Sequence, residues 1–240
     1  SGLAAFLHFR SANNASVTPP AASTSNVVGS AFFSSSGASF GANNMGLNDT
    51  FQVRLTNIPQ PAAGTQYYAW LLPDTVQSEA DSRAVGTLVV TGGVATLPQV
   101  YTDAQHENLI ALFSRFLVTE EAMSPTPQNP SLDTHLWRYY AEIPQTPPLT
   151  DCQGVLNQLS ALCHLRHLLS GDPELAKVGL SGGLNYWFLN NAETVQHWAQ
   201  EVVSHTDPTD VRHKIVDILY LLDGNACIAQ DIQQNAPNQE

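Results

Sequence analysis

Positive charge is scarce in this sequence. Lys177 and Lys214 are its two lysines, and seven arginines complete the basic set, against 21 aspartates and glutamates, for a net charge of −12. Proteins that bind nucleic acid neutralise phosphates with clustered basic side chains. No basic stripe exists here, which excludes nucleic acid as a direct partner, and the same arithmetic disfavours an anionic membrane surface. Charge of either sign is thin at 12%, while hydrophobic residues reach 43%. Real cores can therefore form, and the surface is left largely to Ser, Thr, Asn and Gln, as in secreted or wall-associated proteins. No run of 18 apolar residues is present, so nothing in the chain spans a bilayer as a helix. Internal repeats are absent as well.

Cysteine is also scarce. Cys152, Cys163 and Cys227 allow one disulfide and leave one thiol over. Cys152 and Cys163 fall on a stretch that reads as a single helix, where a rise of about 1.5 Å per residue separates them by roughly 16 Å. The expected bridge therefore joins Cys227 to Cys163 or to Cys152, and a set of buried free thiols is the alternative.

What is present divides the chain by period. The start, Gly2-Leu-Ala-Ala-Phe-Leu-His-Phe-Arg10, is apolar and runs into a polar Ser/Asn/Pro tract. It reads as the outer end of a transmembrane helix followed by a juxtamembrane linker, residues 1–26, with a first strand or a short amphipathic helix as the alternative. From residue 27 to 145, short period-two runs broken by turn residues predict an antiparallel β-sandwich. Phe51, Val53 and Leu55 alternate with Gln52, Arg54 and Thr56, which gives one inward and one outward face. Gln66-Tyr-Tyr-Ala-Trp70-Leu-Leu72 is apolar on both faces, as a central strand should be. Gly92-Gly93 joins two runs as a hairpin. Residues 108–119 read as the longest apolar strand, and the segment around Leu136 to Glu142 as the last one.

Pro144-Gln-Thr-Pro-Pro148 marks a boundary. Beyond it a small all-α helical bundle is expected over residues 149–232, then a flexible tail over 233–240. Thr150 with Gln153 reads as a capping box, opening a helix lined by Val155, Leu159, Leu162 and Cys163 and running to about Leu169. Asp172-Pro173 and Asp207-Pro208 each start a further helix, with proline where its missing N–H costs nothing. Another, from about Ala192 to Ser204, carries Val195, Trp198, Ala199 and Val202 at helical spacing. The fold class is thus α+β in two segregated domains.

Several motifs invite chemistry. Gly179-Leu-Ser181-Gly-Gly183 matches the nucleophile-elbow pattern, but that device needs a strand before the serine, whereas a short helix is expected there. The glycines read instead as a helix stop and turn. His164 and His167, at i and i+3, together with His213, are the candidate metal ligands of a histidine cluster. The loop from Asp74 to Asp81, with Glu79 between, matches no calcium-loop spacing and reads as a solvated acidic turn. Trp137-Arg138-Tyr139-Tyr140 offers either an aromatic binding patch or packing. Asn14-Ala-Ser16 and Asn48-Asp-Thr50 fit the glycosylation sequon.

The order Phe51-Gln-Val-Arg-Leu55, a Pro/Gly turn, Tyr67-Tyr-Ala-Trp70-Leu71, a Gly86-led strand and Val118-Thr119-Glu120-Glu121 resembles the extracytoplasmic domain of bacterial anti-sigma-K-type anti-sigma factors. The resemblance covers about half the chain, from Val27 to Pro130, and leaves the helical part unassigned. It implies a non-enzymatic sensory domain of a membrane-anchored transcription regulator, without cofactor. It also implies a sigma factor bound through a cytoplasmic segment not in this sequence, a membrane reached through a transmembrane helix likewise outside it, and a ligand or protein partner on the outer face. Two alternatives stand beside this expectation: a metal-dependent enzyme using the histidine cluster, and a cell-surface structural or binding module, secreted rather than anchored.

Overall fold

The computed structural model describes residues 5–11, 27–38, 46–147, 152 and 158–223. By compactness the chain divides into two units, Ser1–Gly183 and Leu184–Glu240. The change of period at Pro144 marks a change of secondary structure, whereas this division falls later, because the first helix after it packs into the core of the sheet.

The first unit is built on strands β1 (Ala5–Ser11), β2 (Val27–Ser34), β3 (Thr50–Thr56), β4 (Thr65–Leu72), β5 (Arg83–Thr91), β6 (Val94–Thr96), β7 (Tyr101–Thr102), β8 (Arg115–Ala122) and β9 (Trp137–Glu142). They form one antiparallel sheet in the order β2-β1-β9-β8-β4-β5-β6-β3-β7, and β2 also pairs with β3. That last pairing closes the sheet on itself and leaves β7 as a short appendage. Two separate facing sheets were expected; the hydrogen bonding is instead that of one continuous, curled sheet. Closure satisfies the edges that a sandwich would have to protect.

The beginning of the chain supplies part of this closure. Residues 5–11 pair with β2 along most of their length, and Arg10 and Ser11 pair with Tyr140 and Tyr139 of β9. The transmembrane-helix expectation for this run is therefore replaced by its alternative, a first strand. Its period-two composition serves pairing as well as a helix, and the partners lie far away in sequence.

Inside the sheet the alternation read from β3 holds. Phe51, Val53 and Leu55 are buried while Arg54 and Thr56 are exposed. Phe51 sits between Phe33 and Phe116, each with ring centroids 5.1 Å away. β4 is buried on both faces: Tyr67, Ala69 and Leu71 join the interior cluster, and Tyr68, Trp70 and Leu72 join an outer one with Leu117. Gly92 and Gly93 both have positive φ, 59° and 79°, as a two-residue turn between β5 and β6 requires. Gly29 of β2 lies so close to β3 that a Cβ there would stand 2.2 Å from the Arg54 carbonyl oxygen.

Residues 108–119 do not form one long strand. Leu109, Ile110 and Phe113 are all buried, and a single turn, α1 (Leu109–Leu112), places the three together before β8 begins. The Phe113 N–H closes that turn on the Leu109 carbonyl at 2.8 Å.

Helix α2 (Ala161–Leu169) follows, capped by the Ser160 hydroxyl, which accepts from the Cys163 N–H. It begins much later than the Thr150 and Gln153 capping box, and those residues, with Val155, lie outside the described ones. Leu162 and Leu169 enter the interior cluster of the sheet, and Leu165 packs against it. A short helix, α3 (Pro173–Lys177), is started by Asp172, whose carboxylate accepts from the Glu174 and Leu175 N–H groups. The second unit holds α4 (Leu184–Ser204) and α5 (Pro208–Asp223), which pack against each other. Among the described residues no helix is long and apolar enough to cross a membrane.

Candidate functional site

Helix α2 is held on the sheet by polar contacts that hydrophobic spacing does not reveal. Arg166 donates from Nη1 to Asp74 Oδ2 at 2.6 Å and from Nη2 to Asp74 Oδ1 at 2.8 Å, and its Nε donates to the Ile110 carbonyl at 2.9 Å. The loop from Asp74 to Asp81 is solvated over most of its length, as expected, with Thr75 to Ser78, Ala80 and Asp81 exposed, and Asp74 is the exception. Asp74 is buried, and Glu79 accepts from Arg115 Nη1 at 2.9 Å. Burial alone would raise the Asp74 carboxyl, but the Arg166 hydrogen bonds outweigh it and hold it below the ordinary value. At the far end of α2 the Leu169 carbonyl accepts from two amides, Asn48 Nδ2 at 2.9 Å and Asn108 Nδ2 at 3.0 Å. The Asn48 sequon is thus buried in a structural role, while Asn14 lies outside the described residues.

Cys152 and Cys163 are joined by a disulfide, with Cα atoms 5.0 Å apart. The expectation that they could not bridge fails because Cys152 is not helical. It sits at φ 52°, and the helix starts only at Ala161, so the chain can turn back on itself. Cys227, the expected partner, lies outside the described residues. The Cys152 carbonyl can only accept, so His167 Nε2, 2.8 Å from it, is the protonated nitrogen of that ring. His167 is buried there, whereas His164 is exposed on α2 and His213 exposed on α5 in the second unit. Among the described residues no group of three or more metal-ligating side chains is placed to hold a metal ion.

Ser181 follows α3 rather than a strand. Gly179, with φ 78°, ends α3, and the Gly182 carbonyl accepts from the Asp172 N–H at 3.1 Å. A Cβ on Gly183 would stand 2.3 Å from the Leu168 carbonyl oxygen. Each glycine of the elbow-like motif therefore has a structural task, Gly179 at the end of α3 and Gly182 with Gly183 beside the end of α2. The aromatic run of β9 is divided between the two faces, with a register shift against β8 at Trp137 putting that ring on the side of Tyr140. Tyr139 faces the core, with its ring 6.2 Å from Tyr67, while Trp137 and Tyr140 stack on each other over the outer cluster. Trp70 donates from Nε1 to Thr119 Oγ1 at 2.9 Å within that same outer layer. Burial, aided by the nearby Tyr139 and Glu120, pushes the Tyr67 hydroxyl up to about 12.

Among the described residues the first unit carries a cleft of about 560 Å³, within the usual range for small-ligand sites. Arg83, Asp81, Glu107, Ser78 and Gln77 supply its polar wall, and Leu112 with Phe113 part of its apolar wall. The Arg83 guanidinium lies over the Phe113 ring at 5.1 Å, bonds the buried Asp103 carboxylate, and reaches Glu107 more loosely at 3.3 Å. Burial works against the charge of Arg83, and Asp103, Tyr101 and Glu107 together more than restore it. Beside the cleft, the fully buried Asp49 accepts from the Ser36 N–H at 2.7 Å, the Ser36 hydroxyl at 2.6 Å and His106 Nδ1 at 2.6 Å. His106 is itself held in the left-handed region at φ 55°. Nothing in the sequence signalled this pair, since 57 residues separate its members.

No family model, curated protein or solved structure matches this chain. Its chemistry therefore stands on the geometry above. That geometry comprises a cleft whose one guanidinium is held by two carboxylates, and an Asp49–His106 pair in which Asp49 is buried and His106 half-exposed.

Proposed function

We propose that this chain is a non-enzymatic extracytoplasmic module of sensory or regulatory type, in which the closed sheet presents the Arg83 cleft to a ligand or partner outside the cell membrane. The observation that supports it most directly is the Cys152–Cys163 disulfide, because such bridges persist in oxidising compartments and are rare in reducing ones. The finer reading, a domain of anti-sigma-K type, rests on the resemblance of residues 27–130. In that reading Tyr68 and Trp70 of the motif lie in the outer packing layer, where Trp70 bonds Thr119.

The test is the compartment. A phosphatase reporter that is active only outside the cytoplasm, fused after residue 240 of the full-length gene product in its own host, should be active. The purified native protein should also carry one reactive thiol per chain rather than three. An inactive reporter together with three reactive thiols would exclude the proposal.

A further inference from the structure

Among the described residues, the helical hairpin of the second unit leaves many of its apolar side chains exposed. None of the described residues of α4 or α5 is buried. The two helices meet along one ridge, where Lys214 Nζ bonds Glu201 Oε2 at 2.8 Å and lies over the Trp198 ring at 5.5 Å. A second apolar stripe flanks that ridge on each helix: Leu184, Phe188 and Val203 on α4, and Ile215, Leu219 and Leu222 on α5, all exposed. Phe188 is 78% and Val203 88% exposed, far from the ordinary exposure of such side chains.

Helical geometry decides where these stripes point. At 3.6 residues per turn, each lies on the increasing-angle side of its contact ridge. In an antiparallel hairpin the increasing-angle sides of the two helices face the same way. The stripes therefore merge into one broad face, while Glu193 and His197 lie on the opposite side of α4. Phe188 and Leu222 fall at one end of that face, Val203 and Ile215 toward the other.

We propose that this face pairs with the same face of a second copy, so that two hairpins form a four-helix bundle. Such bundles are the ordinary way for paired antiparallel helices to bury stripes of this width, and a self-complementary face pairs naturally about a twofold axis. The area fits. Six large apolar side chains offer on the order of 500 to 600 Å², and a standard interface takes about 800 Å² from each partner, of which roughly two-thirds is apolar in homodimers. It has no charged residue among its six members, so the chain's net charge of −12 does not oppose contact at its centre.

Sedimentation equilibrium of the whole chain tests this. With Cys227→Ser, so that a cross-chain bridge cannot mimic association, the protein should sediment as a dimer at tens of micromolar. Phe188→Glu, and independently Leu219→Glu, should each weaken dimerisation at least tenfold while the far-ultraviolet helical signal is retained. Glu193→Gln, on the opposite side of α4, should leave it unchanged. A monomeric protein at 100 µM would overturn the proposal, because the face would then be covered by other residues of the same chain or by a different protein. So would a dimer that survives both charge substitutions.

Discussion

Asp74 and Arg166 lie 92 residues apart and meet in a two-pronged ion pair, with both side chains largely withdrawn from solvent. The pair joins the acidic loop after β4 to the middle of α2. Each prong is short, at 2.6 and 2.8 Å, and the geometry matches the planar fork of a guanidinium to a carboxylate.

Arg166→Ala should destabilise the first unit by about 3 kcal/mol, because it strands a buried carboxylate. Arg166→Lys should recover little of this, since an ammonium cannot reproduce the fork or the added bond to Ile110. Urea unfolding of the three proteins reads both effects. The double variant Asp74→Asn with Arg166→Ala should cost less than the sum of the two single changes.

Acid should unfold the protein through these same carboxylates. Asp49 and Asp74 are each held below the ordinary value of 3.8 in the folded state. Burial opposes both shifts, and the hydrogen bonds of Ser36 and His106 in one case and of Arg166 in the other overcome it. A folded-state value below the unfolded one contributes stability that is complete above the unfolded value and lost as pH falls through the folded one. Thermal midpoints should therefore drop steeply below about pH 4. Asp49→Asn should lower the midpoint at pH 7 and flatten that drop.

The disulfide closes a short loop of 11 residues of sequence separation. Cross-linking a loop of that length contributes about 3 kcal/mol by the chain-entropy relation. Reduction should lower the melting temperature, and Cys163→Ala should reproduce the shift. Cys227→Ser should not, and peptide mapping of the oxidised protein should recover Cys152 and Cys163 in one linked product.

Two glycines within a short stretch of chain should respond in opposite ways. Gly183→Ala forces a Cβ against the backbone of Leu168 and should cost at least about 2 kcal/mol. Gly171→Ala meets nothing within 4 Å and should change stability by less than about 1 kcal/mol. Differential scanning of the two variants tests the packing role of Gly183 against a nearby glycine that has room for a side chain.

Glycosylation offers a further check. Expressed in a eukaryotic secretory host, Asn48 should remain unmodified once folded, since its amide is buried against the Leu169 carbonyl. An unchanged mass of the peptide containing Asn48 after glycosidase treatment is the expected result.

The alternation of Phe51, Val53 and Leu55, the two-faced burial of β4, the glycine pair between β5 and β6, and the proline-led starts of α3 and α5 were all legible. Each depends on a period of two or 3.6, or on the backbone freedom of one residue, and those are properties of neighbours in sequence. The turn at Leu109 was not, since a run of apolar residues fits a strand and a buried helical turn alike. The candidate cleft was invisible for a different reason: Arg83, Asp103, Glu107 and Phe113 carry no spacing that any single element would impose.

By itself the sequence determined that the chain has a β-rich part followed by a helical one, a surface poor in charge, and no basic stripe for phosphates. Only the tertiary structure decided that the sheet closes on itself, that residues 5–11 serve as a strand of it, that Cys152 pairs with Cys163, and that α2 belongs to the sheet's own core. Closure, bridging and docking join residues distant in the chain. Their free energy depends on where the backbone returns, and local propensity carries no record of that.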